Sequence, residues 1–150
     1  MSNPIESRWV LGQRIDFILD GTTTGRKYAL FDMYVPAIFA GPPPHTHNDC
    51  DESFYILEGT IEFLVNNTWH ARRAGEFAYV PKGAIHTFRN VSGQSARAIV
   101  TVSPAGFERF FRDFGTPTTR DSITPPPVPP EIIQRLLAEA QSYGMTLHLK

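Results

Sequence analysis

A single cysteine, Cys50, leaves this chain without any internal disulfide, so the fold must be held by packing and hydrogen bonds, as suits a reducing compartment. Long apolar runs are missing too. Glu6, Arg8, Arg14 and Asp16 interrupt the apolar residues between Met1 and Asp20, which excludes a secretory core there, and no later stretch has the length of a membrane span. Net charge is equally scarce. At −1 it gives no electrostatic reason to seek nucleic acid or an anionic membrane as partner. There is no internal repeat, and the only biased tract is rich in proline. These absences lead us to expect a soluble, cytoplasmic protein whose partner is a small molecule.

What is present is one ordinary domain: 150 residues, 41% hydrophobic and 19% charged, enough to bury a core. Short β-rich runs separated by turn residues dominate residues 8 to 102. Arg8–Gly12, Gln13–Leu19, Arg26–Val35, Ser53–Leu57, Thr60–Val65, Glu76–Val80, Ile85–Asn90 and Arg97–Val102 read as strands. Asp20–Gly25, Glu58-Gly59, Asn66-Asn67, Lys82-Gly83 and Ser92-Gly93 read as turns. That is the pattern of an all-β barrel or sandwich. After Pro104 the period changes. Phe107, Phe110, Phe111 and Phe114 fall at helical spacing before Gly115, a stripe expected to pack on the barrel. A proline-rich connector, Thr116–Pro130, precedes a second helix, Glu131–Tyr143, stopped by Gly144, and a final extended piece, Met145–Leu149.

Two stretches carry chemistry. In an extended His45-Thr46-His47 the period of two sends both imidazoles to one face, and a carboxylate a few residues on is a natural third ligand. Gly75 to Asn90 brings His86 in a second strand-like run. Three imidazoles and a carboxylate suit one divalent transition metal, iron, nickel, manganese, cobalt, copper or zinc; calcium and magnesium, which want oxygen, fit poorly. A lone histidine is more often a hydrogen-bonding core or surface residue, and His70 and His148 take that reading. Asp49, Asp51 and Glu52 all compete for the carboxylate role on sequence alone.

The two stretches resemble the paired motifs of the cupins. His45, His47, Glu52 and Gly59 match the first motif, and Gly75, Pro81, Gly83, His86 and Asn90 the second. One departure stands out: the glycine before the first histidine is displaced to Gly41 and followed by three prolines. The resemblance implies a double-stranded β-helix, or jelly-roll barrel, over residues 1–103 with its N-terminal strands, and a helical C-terminal tail over 104–150 packed on it as part of one domain. It selects Glu52 as the carboxylate, through its spacing from His47 and Gly59, and makes His45, His47, Glu52 and His86 the metal ligands. The tail, from Pro104-Ala-Gly-Phe-Glu108 onward, resembles that of single-domain cupins similar to quercetin 2,3-dioxygenase. The implied activity is oxygen-dependent cleavage of an enolic or aromatic, flavonol-like molecule, with Glu52 as catalytic base. Alternatives are a metal-dependent isomerase or lyase on a small keto-enol compound and a non-catalytic metal- or small-molecule-binding barrel.

Strand parity puts Phe54 and Ile56 on the face of Glu52 and Phe88 on that of His86. With Phe63 and Tyr79 these are the residues expected to line the substrate pocket. The resemblance also implies a homodimer, and the apolar N-terminal segment Arg8–Leu19, expected at a sheet edge, is its natural contact.

Overall fold

The computed structural model describes residues 5–149; the first four residues and Lys150 of the two expected regions lie outside it. In chain order the elements are β1 (Glu6–Val10), β2 (Gln13–Leu19), the single helical turn α1 (Gly21–Thr24), β3 (Ala29–Val35), β4 (His45–His47), β5 (Asp51–Glu58), β6 (Thr60–Val65), β7 (Thr68–Arg73), β8 (Phe77–Val80), β9 (His86–Arg89), β10 (Ala96–Ser103), α2 (Glu108–Phe114), β11 (Thr116–Thr118), α3 (Pro130–Glu139) and β12 (Met145–Leu147). A 3₁₀ turn, Ala140–Tyr143, follows α3. No described helix is long and apolar enough to cross a membrane.

The strands form two antiparallel sheets ordered β11-β1-β2-β3-β10-β5-β8 and β12-β4-β9-β6-β7. They make the expected all-β jelly roll as a two-sheet sandwich. Alternation explains the packing. Ile15, Phe31, Met33, Phe54, Ile56, Ile61, Phe63, Val100 and Val102 point inward and are buried, while Tyr55, Phe77 and Tyr79 point out and are exposed. Positive φ at Asn66 and Asn67 closes the hairpin between β6 and β7, and β7 is a strand that the polar run Thr68–Arg73 did not announce. The Asp20–Gly25 turn is helical because the Asp20 carboxylate accepts from the Thr22 and Thr23 amides.

The tail binds the sheets at three places. Phe111 meets Phe31 edge-to-face at 5.1 Å, and Phe110 stacks on Phe114 at 4.6 Å. The connector is not wholly free of pairing: β11 adds to β1, with Ser7 opposite Thr118. This corrects the expectation that the N-terminal strands form an edge, since β1 is covered by the chain's own β11, and Trp9, Val10, Ile15 and Phe17 are buried within the chain. Beyond β11, Arg120 reaches Asp32 at 3.2 Å and Asp16 at 3.7 Å. Those two buried carboxylates are cross-strand neighbours, an arrangement tolerated because Arg14 pairs with Asp16 at 3.0 Å and Arg97 with Asp32 at 2.8 Å. The third attachment is β12, paired with β4.

If the tail is part of one domain, Phe111→Ala should lower stability by about 3 kcal/mol or more, the usual cost of deleting a buried Phe. The midpoint of urea unfolding measures it. A shift worth under about 1 kcal/mol would mean that the tail adds little to the core.

Candidate metal centre

Gly41 begins the approach to the site. It adopts φ +84°, and a Cβ there would lie 1.8 Å from the Phe88 carbonyl oxygen, so only glycine lets the chain cross β9 this closely. The prolines that follow hold the segment extended, with Thr87 Oγ1 donating to the Pro42 carbonyl at 2.6 Å. The displaced glycine and its prolines thus deliver β4 against β9. There His45 and His86 are directly opposed partners, their rings 4.3 Å apart. His47, two residues on, lies on the same face, 5.1 Å from each of the other two rings. Each of the three can offer a ring nitrogen within 4.8 Å of the others'.

The tautomers are set by the backbone. His45 Nδ1 donates to the Pro43 carbonyl at 2.9 Å and His86 Nδ1 to the Ala84 carbonyl at 3.1 Å; a carbonyl can only accept, so the proton sits on Nδ1 and Nε2 keeps its lone pair. His86 Nε2 is buried with no hydrogen-bond partner among the described residues, an orphaned donor atom of the kind a metal satisfies. Burial lowers the His45 pKa to about 3 and lowers that of His86, so both rings are neutral at physiological pH, as ligands must be.

Glu52 comes from the opposite sheet. Its Oε2 lies 2.9 Å from His47 Nε2 and its Oε1 4.0 Å from His86 Nε2. Two ligands each about 2.1 Å from one ion and at right angles would stand roughly 3 Å apart, so the contact with His47 has the spacing of a shared ion. Burial pushes the Glu52 carboxyl up, but its close contact with His47 outweighs this and holds the group down to about 2. Its rivals are engaged elsewhere. Asp51 Oδ1 accepts the Lys82 amide at 2.8 Å, and Asp49 is exposed. Cys50 offers no thiolate, because burial pushes its thiol up to about 12. The donor set therefore fits a transition metal: three imidazoles that could hold the ion, and a carboxylate against two of them.

Beside this cluster is a cavity of about 50 Å³. Only Phe88 of the five expected pocket residues lines it. Phe54, Ile56 and Phe63 do face inward but pack on one another and on Phe88 in the core, with Phe54 4.8 Å from Phe63 and 5.6 Å from Phe88. Tyr79 faces solvent, since parity puts it with Ser53 and Tyr55 on the outer side of the sheet. The walls come instead from Gln13, Phe39, Phe107, Phe110, Phe111, Leu136 and Met145, among others. The Phe stripe of α2 had signalled a packed face, and it also covers the site: Phe107 meets the His47 ring edge-to-face at 4.4 Å. Nothing in the local sequence pointed to Gln13 or Met145. Asn90, the last motif residue, is a loop staple; its side-chain amide donates to the Pro36 and Gln94 carbonyls and its Oδ1 accepts from Ser92.

Residues 34–102 match the cupin domain family. The chain is 37% identical over 49 residues to an uncharacterized protein of Aquifex aeolicus (strain VF5), a match covering 33% of this chain and 40% of that protein. It is 30% identical over 73 residues to quercetin 2,3-dioxygenase of Bacillus subtilis (strain 168), covering 49% of this chain and 21% of the enzyme. The matches thus span less than half the length of these two relatives. Among solved structures, a sugar phosphate isomerase from a cupin superfamily of Silicibacter pomeroyi superposes with a TM-score of 0.53 at 20% identity, over 63% of this chain and 61% of that one, a likeness of fold.

His86→Ala should bring metal content, measured by atomic emission, well below one ion per chain while the circular dichroism spectrum is kept. A fully loaded variant would refute the site. Loss of metal in Asp51→Asn but not in Glu52→Gln would move the carboxylate role to Asp51.

Proposed function

Because this chain carries a cupin domain at residues 34–102, we propose that it is a metal-dependent dioxygenase acting on an enolic or aromatic small molecule, with His45, His47, Glu52 and His86 as the ligands of one divalent transition metal. The observation that carries the reading is the clustering of three imidazoles, two of them neutral with Nδ1 donating to backbone carbonyls, around an ionised carboxylate, with His45, His47 and Glu52 lining a cavity that is otherwise almost wholly apolar. When bound, the metal would supply a Lewis acid that stabilises an enolate or phenolate and an open position next to it. The remaining work falls to side chains. Glu52 accepts the proton of the substrate hydroxyl on its carboxylate, the Phe107, Phe110 and Phe111 rings exclude water, and Nδ1–H bonds to backbone hold two imidazoles in place. The B. subtilis relative acts in the same class by name.

The cavity volume, about 50 Å³, lies far below the roughly 300 Å³ where sites for drug-sized ligands begin. That favours, as a second reading, an isomerase or lyase on a small keto-enol compound, using the metal as Lewis acid without oxygen. Oxygen-electrode measurements with flavonols and 1,3-diketones, after loading with each metal in turn, decide between them. Uptake supports the first reading; turnover without uptake supports the second, and neither would leave a binding barrel. In whichever reaction is found, Glu52→Gln keeps an oxygen ligand but removes the base, and turnover should fall ~10²- to 10⁴-fold. Full turnover in a metal-loaded Gln variant would show that the carboxylate is no base.

A homodimer remains part of the proposal, but its contact must be sought away from β1. The outer face of β5 and β8 offers Tyr55, Phe77 and Tyr79, of which Phe77 is 67% exposed, at the far edge of the larger sheet. By light scattering, Phe77→Lys combined with Tyr79→Lys should halve the mass of a dimer built there. A monomeric starting protein would refute the dimer.

A further inference from the structure

Gln13 is the first residue of β2, placed by a tight reversal in which Leu11 and Gly12 take positive φ and Val10 pairs with Gln13. A Cβ on Gly12 would lie 3.4 Å from the Phe39 ring, so the turn is pressed against another wall of the cavity and the position of Gln13 is closely defined. The residue is only 8% exposed and lines the same cavity as His45, His47 and Glu52. Its Oε1 is fully buried with no hydrogen-bond partner among the described residues. Flipping the amide would only exchange which polar atom is left alone.

Such an atom is costly to an empty protein, and a thioether or aliphatic side chain of similar volume would avoid the cost. Elsewhere the chain satisfies its buried amides: Asn90, 1% exposed, has both its amide nitrogen and its oxygen engaged. Apart from Gln13 and the metal-site residues, the side chains lining the cavity are apolar, and neither Lys nor Arg is among them.

We propose that Gln13 is a specificity-determining residue whose amide hydrogen-bonds a second hydroxyl or carbonyl of the substrate, the first being the group taken up at the histidines. This rests on the reading of the cavity as the substrate site. The substrate class follows from the lining. It is a compact, uncharged, largely apolar molecule with two oxygen functions, one acidic enough to ionise at the metal and one neutral at Gln13. A phosphorylated sugar or dicarboxylate, which would bring a second charge with no cation to meet it, does not fit.

The test uses the full chain, loaded with Co²⁺, and three probes that share one phenolic hydroxyl and differ in the second: phenol, resorcinol and hydroquinone. By calorimetry the unaltered protein should bind at least one diol ~10-fold more tightly than phenol, and Gln13→Met, which keeps the volume and removes both polar atoms, should bring the ratio within ~2-fold. Without probe, the melting temperature of Gln13→Met should equal or exceed that of the unaltered protein, a change opposite to that from losing a structural amide. Gln13→Leu repeats the comparison if the Met variant folds poorly. Equal affinities for the three phenols, binding of none, a preference kept in both variants, or a marked fall in melting temperature in both would each overturn the assignment. Metal content is read separately. An unloaded site in both proteins would refute the metal reading, while the affinity ratios still decide the role of Gln13.

Discussion

The site depends on a strand of three residues. β4 carries two of the three imidazoles, yet it meets β9 through the single opposed pair His45 and His86. A strand this short has little stability of its own. Its position is therefore imposed from outside: by Gly41, which permits a backbone crossing that any Cβ would block, by the prolines with little conformational freedom, and by β12, which pairs with all three of its residues, Met145 opposite His47 and Leu147 opposite His45. The C-terminal strand, remote in sequence, is half of the scaffold that holds the ligands.

Electrostatics then prepare what the backbone has placed. Burial alone would drive Glu52 toward its neutral form and leave the site without an anion; the contact with His47 reverses that. Burial likewise favours the neutral form of His45 and His86, with nothing to reverse it, and so keeps them able to donate lone pairs. Desolvation thus favours the neutral form of all these groups, and the carboxylate stays ionised only because His47 lies against it. The apolar walls that enforce it include Phe107, Phe110 and Phe111, so the aromatic tail acts on the site through dielectric as well as contact.

Much of this was legible in the chain. The period of two at His45 and His47, and the glycine and proline spacing around His86, are local patterns with local causes, and they bring the three histidines together. The β-runs and the two tail helices were equally local. What escaped was set by contacts distant in sequence. β7 has Thr68, His70 and Arg72 on one face and Trp69, Ala71 and Arg73 on the other, no continuous apolar face to announce it, and it is placed by its pairing with β6. β11 is a strand only because β1 needs a partner. Parity correctly sent Phe54, Ile56 and Phe63 inward, but parity cannot tell a cavity wall from a filled core, and the space beside the histidines turned out to be bounded by the N-terminal hairpin and the tail. Gln13 carries no sequence signal, for an amide at the start of a strand is ordinary until its burial is seen.

The attachments of the tail also bear on the cavity. Phe107, Leu136, Met145 and Leu147 all wall the cavity, and all belong to the segment after Pro104. That segment is held at its near end by α2 on Phe31 and along its connector by Arg120 between two buried carboxylates. At its far end it is held by the three-residue pairing of β12 with β4, by the His148 amide on the Pro44 carbonyl, and by Asn48, whose backbone amide donates to the Gly144 carbonyl at 2.7 Å and whose side-chain amide donates to Thr146 Oγ1 at 3.0 Å. Met145 and Leu147 lie on the edge strand of the smaller sheet, so they pair with β4 alone, whereas the other strands that wall the cavity are paired on both sides. The same short pairing therefore both braces the strand that carries His45 and His47 and sets Met145 and Leu147 in the cavity wall, so the wall and the two imidazoles share one support in β12.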